Sequence, residues 1–138
     1  MASYTKFNSF AEALAEKVHN LGSDQLAVAL CATASAPVAG NSQLTNLTQI
    51  SYTNLSSRNI TTSTSSQSSG TYKLVLTDLV LTASGGSVAA FQYVVIYNDT
   101  ATNDELIGYF DYGSAVTLAS GETFTIDFDA TNGLLQLA

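Results

Sequence analysis

The chain has 138 residues, 46% of them hydrophobic and only 11% charged, with a formal net charge of -7. That length fits one domain with a sizeable core, burying roughly two-thirds of its unfolded surface. The four basic residues, Lys6, Lys17, Arg58 and Lys73, are scattered, so no patch exists to neutralise phosphates or an anionic bilayer, and neither nucleic acid nor membrane is expected as a partner. With so few charges, surface polarity has to come from Ser, Thr, Asn and Gln, which suits a protein packed against neighbours, although a soluble all-β protein has the same look.

No basic n-region or apolar h-region opens the sequence, and no apolar run approaches the length of a membrane span. Cys31 stands alone in an apolar run, which excludes an intrachain disulfide and reads as a small buried hydrophobe. Synthesis and folding in a reducing cytoplasm are expected.

Taken in order, Phe7, Phe10, Ala11, Leu14, Val18 and Leu21 recur at helical spacing and predict one amphipathic helix over residues 5–21. Ser3 or Thr5 is placed to cap its start and Gly22 to end it. The run from Gln25 to Ala32 predicts a strand with Leu26, Val28 and Leu30 on one face and Ala27, Ala29 and Cys31 on the other. Residues 33–70 are rich in Ser, Thr, Asn and Gln with sparse apolar side chains. They read as an extended arm or loop, carrying one or two short strands, that lies on a partner. Its apolar and basic residues Leu44, Leu47, Ile50, Tyr52, Leu55 and Arg58 are the candidate protein interface.

The main strands are expected over 71–138. Thr71 to Thr82 is interrupted at Thr77-Asp78, by a bulge or because the strand is buried on both faces. Ser87 to Ala130 holds most of the aromatic and β-branched residues. Within it, the run through Val94, Val95, Ile96 and Tyr97 stops at Asn98-Asp99-Thr100. Strands follow over Glu105 to Tyr112 and, after Gly113-Ser114, over Ala115 to Ala119. Thr123 to Asp129 alternates strictly, with Phe124, Ile126 and Phe128 on one side. Asn132-Gly133 predicts a last hairpin turn before the terminal strand. Together these features predict a mainly β chain: an antiparallel β-sandwich or small barrel with one N-terminal amphipathic helix and a long Ser/Thr-rich arm.

Motifs of catalysis are missing. His19 is the sole histidine, near the predicted helix end where the dipole favours a cation, and no zinc set or Cys–His pair can be built around it. No G-x-S-x-G, P-loop or dinucleotide fingerprint occurs. No enzyme activity, metal or cofactor is expected. Asp99, Asp104, Glu105 and Asp111 read as solvated turn residues, with an oxygen-ligand calcium loop as the alternative. Tyr52, Tyr72, Tyr93, Tyr97, Tyr109 and Tyr112 suit cross-strand packing, with a sugar-binding surface as the alternative.

VHNLGSDQLAVAL (Val18 to Leu30), YTNLSSRNITT (Tyr52 to Thr62), the long stretch from Ser69 to Gly113 and GETFTIDF (Gly121 to Phe128) together resemble a family of small virion structural proteins of tailed bacteriophages and prophages. The resemblance runs through nearly the whole chain in the same order. It implies a capsid decoration (cement) protein that stabilises the head shell, with the major capsid protein and further copies of itself, as a homotrimer, for partners. The expected location is the capsid surface of the virion, after synthesis in the host bacterial cytoplasm. A tail, neck or fibre component is the alternative reading, and a carbohydrate-binding module the alternative of another class. No catalytic residue is implied.

Overall fold

The computed structural model describes residues 2–138. It is mainly β, with antiparallel sheets and a single short α-helix. The strands are β1 (Ser3–Lys6), β2 (Leu26–Cys31), β3 (Asn59–Ile60), β4 (Thr62–Ser68), β5 (Thr71–Leu76), β6 (Leu79–Thr82), β7 (Val88–Asn98), β8 (Leu106–Leu118), β9 (Thr123–Ile126) and β10 (Leu135–Leu137). The helix α1 is Phe10–Ala15, and two 3₁₀ turns, Thr33–Ser35 and Leu44–Asn46, lie between β2 and β3. Five strands form one sheet in the order β1-β8-β7-β2-β3; β10-β5-β4 form a second and β6-β9 a third. No helix among the described residues is long and apolar enough to cross a membrane.

The central strand β2 and the second half of β7, from Val94 to Asn98, are buried on both faces. Leu26, Val28 and Leu30 of β2, with Val94, Ile96 and Ile107 from its sheet, meet Leu74, Leu76, Leu81 and Ile126 of the two smaller sheets in the larger core. The opposite face carries Ala27, Ala29 and Cys31 with Val95, Tyr97 and Leu106, packed around Phe7. The strand's period-2 alternation is what separates these two cores. Small side chains on the second face leave room for a covering layer, and Leu44 and Leu47 supply it.

The helix is shorter than its apolar stripe. Ser3 and Thr5, expected as caps, lie in β1, which pairs with β8 from Ser3 opposite Asp111 to Lys6 opposite Gly108. A Schellman motif ends α1 long before Gly22: Lys17 turns left-handed (φ 68), its N–H donates to Leu14 and that of Val18 to Ala13. Six residues cannot sustain a helix by themselves, so burial of Phe10 holds it. Leu21 reaches the core from the turn that follows.

Three further boundaries differ. Thr77-Asp78 is neither a bulge nor a doubly buried strand: there the chain leaves one sheet for another, β5 pairing with β4 and β10, and β6 with β9. Asp78 Oδ1 stabilises the crossing by accepting the Phe128 N–H at 2.8 Å. Gly113 does not divide two strands. β8 runs through it, and the register against β7 jumps from Tyr93 opposite Asp111 to Phe91 opposite Val116. This irregular bulge on β8 contains Gly113 at φ 91 with its N–H on Asp111 Oδ1. The Asn132-Gly133 turn makes no hairpin with β9, because the strand after it pairs with β5, Leu135 opposite Leu74.

Candidate functional site: the segment across the sheet edge

The polar stretch expected to extend from residue 33 to 70 is two structures. From Asn59 onward it is strand, β3 and then β4, which pairs with β5. Before that, residues 33–58 wrap over the chain's own sheets. Beyond the two-residue β3, the edge of β2 would expose its backbone groups, an invitation to unwanted strand pairing. The wrapped segment closes it. Val28 N–H donates to the Arg58 carbonyl (2.9 Å), and Arg58 Nη1 donates to the Val28 carbonyl (2.7 Å). Leu30 N–H donates to the Tyr52 hydroxyl (2.9 Å), and its carbonyl accepts Ile50 N–H (3.0 Å). The Arg58 guanidinium lies 3.7 Å from the centroid of the Tyr52 ring, and the Tyr52 hydroxyl donates onward to Gln49 Oε1. Burial pushes the Tyr52 hydroxyl above its ordinary pKa, opposed by the Leu30 N–H and the Arg58 charge.

The six candidate interface residues are therefore not gathered on one outward surface. Leu44 and Leu47 cover the second core, Ile50, Tyr52 and Leu55 pack on the first, and Arg58 locks the edge; all six are half-buried. The large apolar side chains that are exposed lie elsewhere. They are Val38 (58%), Val80 (49%), Leu137 (48%), Tyr112 (47%) and Tyr4 (37%), and of these only Val38 belongs to the wrapped segment. Periodicity marks a residue as apolar but does not say which face of a small sheet stays uncovered, so sequence reasoning missed Val38, Val80, Leu137 and Tyr4, while Tyr112 was among the tyrosines weighed as a sugar-binding surface.

A buried polar cluster ties the β7–β8 connection to the turn after α1. Asn98 is fully buried, and its Oδ1 accepts the N–H groups of Thr100 (3.0 Å) and Ala101 (3.1 Å), which fixes the orientation of the amide. Its Nδ2 then donates to Asp24 Oδ2 (2.6 Å) and to His19 Nδ1 (3.0 Å). Accepting at Nδ1 makes His19 a neutral imidazole with its proton on Nε2. The ring is buried against Phe10, centroids 5.4 Å apart, and so does not serve as the cation expected at a helix end. Burial lowers the His19 pKa, while Glu105 and Asp24 act in the opposite direction. Among the described residues, His19 Nε2 and Glu105 Oε2 have no hydrogen-bond partner.

Asp99, Asp104 and Glu105 share that connection, and Asp104, left-handed at φ 51, is pushed up by desolvation and then by its two acidic neighbours. Asp111 is engaged elsewhere, accepting from Gln92 and Gly113. Among the described residues no three His, Cys, Asp or Glu side chains come together as an ion-holding group. The tyrosines are divided too. Tyr93 packs edge-on to Tyr109 at 6.4 Å, Tyr97 is buried, Tyr72 bonds Ser65 Oγ, and Tyr112 is exposed. Cys31 is fully buried, and burial pushes its thiol up to about 11. No protein-family model matches the chain, and neither the curated proteins nor the solved structures contain a match to it.

Proposed function

We propose that this protein is a structural component of a tailed-phage virion: a capsid decoration (cement) protein that binds the head shell as a homotrimer through protein–protein contacts. The five-stranded sheet facing the two smaller sheets across a common core is read as a β-sandwich. The observation that carries the proposal is the character of the surface. β4 presents Thr, Ser and Gln without a charge along its whole length, and single large apolar side chains stand exposed elsewhere on the surface. Interface cores are depleted in charge because removing a charge from water costs more than removing a hydroxyl, while removing a methyl is favourable. The sequence resemblance adds the identity of the partner. A stable contact buries about 1,600 Å², and repetition over a shell multiplies its effect.

The outer side of residues 33–58, with Val38 exposed, is the proposed contact with the shell, its inner side being engaged with β2. Quantitative mass spectrometry of purified virions tests the reading. A copy number equal to that of the major capsid protein, or a simple fraction of it, is expected. A handful of copies per particle would move the protein to the neck, tail or fibre, and none would refute a virion role.

A further inference from the structure

The side of β9 turned away from β6 is an unpaired strand edge over an apolar groove. Ala83 N–H donates to the Glu122 carbonyl (3.0 Å). On the far side of β6, Ser56 N–H donates to the Thr82 carbonyl (3.0 Å) and Thr82 N–H to Ser56 Oγ (2.8 Å). Backbone groups alternate sides along a strand. Leu79, Leu81 and Ala83 therefore face β9, and Glu122, Phe124 and Ile126 face β6. Phe128, two residues on, keeps this parity with its N–H on Asp78 Oδ1. Thr123, Thr125 and Asp127 are left pointing their N–H and C=O groups outward, and among the described residues β9 has no second neighbour in its sheet.

Along this edge runs a cavity of about 330 Å³. Val94, Phe110, Phe124 and Ile126 line it with Tyr112, whose ring meets Phe124 edge-on at 5.4 Å, and Asp127 supplies a carboxylate. A free backbone edge, an apolar floor beside it and an acidic rim together describe a receptor for one extended segment.

We propose that β9 binds an extended strand of another protein, with apolar residues at every second position and Lys or Arg between them. Alternate side chains would enter the groove, the backbone would pair with Thr123, Thr125 and Asp127, and the basic residues would meet Asp127 and the chain's net charge of -7. The same charge argues against a second copy of this chain. An antiparallel β9–β9 pair centred on Thr125 would set Thr123 of each copy against Asp127 of the other, leaving both Asp127 carboxylates opposite a hydroxyl rather than a cation. This proposal rests on the virion reading only for which protein supplies the strand.

The test uses the full chain and synthetic nine-residue peptides: one alternating Val with Lys, one alternating Val with Asp, and the Val/Lys peptide N-methylated at alternate residues. Amide resonances of Thr123 to Asp127 should move with the Val/Lys peptide. That peptide should bind at least about tenfold more tightly than the other two, one backbone hydrogen bond alone being worth about that much. Thr125→Pro removes an outward N–H without touching the ladder to β6 and should weaken binding about tenfold. Asp127→Lys, at an exposed position, should reverse the preference between Lys and Asp. Equal binding of all three peptides, or shifts confined to other strands, would overturn the proposal. So would a dimer in sedimentation equilibrium that Thr125→Pro abolishes, since that assigns the edge to a second copy. Virion copy number is measured independently, so this proposal and the virion reading can fail separately.

Discussion

Replacing Tyr52 by Phe tests whether residues 33–58 are part of the fold or an appendage. The ring stays, and with it the packing and the stacking of Arg58 at 3.7 Å. What goes is the oxygen that accepts Leu30 N–H at 2.9 Å. Leu30 is fully buried, so no water replaces the lost acceptor. An orphaned buried donor costs about 1–3 kcal/mol. Gln49 loses a donor as well, but it is only half-buried and rehydrates at little cost. A destabilisation of about 2 kcal/mol lowers Tm by about 6–10 °C for a chain of this size. Differential scanning calorimetry gives the Tm, and hydrogen exchange should show the Leu30 amide losing protection. Arg58→Met, which keeps the aliphatic stem but loses the 2.7 Å bond to Val28 and the cation over the ring, should cost about 1–2 kcal/mol by itself. Because the two residues touch, the double variant should depart from additivity by about 0.5 kcal/mol or more. A Tm for Tyr52→Phe within about 1 °C of the wild type, with Leu30 still protected, would refute the edge-closing role. For the same reason, deletion of Asn41 to Ser69 should unfold the chain, so loss of partner binding in such a deletion would not locate the contact.

Three other outcomes are expected. The His19 pKa is lowered on folding, so the unfolded chain takes up the proton first, and stability is full above about 6.5 and declines as pH falls below it. Protonated Nδ1 would also confront the Asn98 amide donor. Asp24, Glu105 and Lys17 face the same region, so the contribution of His19 is isolated by comparing the wild type with His19→Gln at pH values of about 7 and 5.5, and the substitution should flatten the dependence. In β8, Gly108 lies beneath the Tyr4 ring, and Gly108→Ala should lower stability by about 1–3 kcal/mol through overpacking; most of that should return when Tyr4 is changed to Ser, as read by urea denaturation. Cys31, fully buried and with its thiol pushed up to about 11, should not react with a disulfide reagent near neutral pH until the chain is unfolded.

Local pattern alone carried the class of this fold. The alternation of Leu26, Val28 and Leu30 with Ala27, Ala29 and Cys31 follows from strand geometry, and so does its consequence, two cores separated by one strand. The strict alternation from Thr123 and the turn at Asn98 were legible for the same reason. What depended on distant residues was not. The stripe from Phe7 to Leu21 satisfies a helix, yet pairing of β1 with β8 claims its first residues and a Schellman turn ends it after six, because burial of Phe10 and Leu21 outweighs local propensity. Gly113 reads as a break but is the bulge that lets one long strand continue. Thr77-Asp78 reads as an irregularity but is where the chain changes sheets.

The same division governs the candidate site. Leu44, Leu47, Ile50, Tyr52, Leu55 and Arg58 stand out in a polar stretch by composition, and composition cannot tell a partner's surface from the chain's own. Only the tertiary structure decided that the edge of β2 takes Ile50, Tyr52 and Arg58 and its face of small side chains takes Leu44 and Leu47. It also decided that β9 keeps an open edge, because pairing is a relation between strands that no single strand's sequence contains.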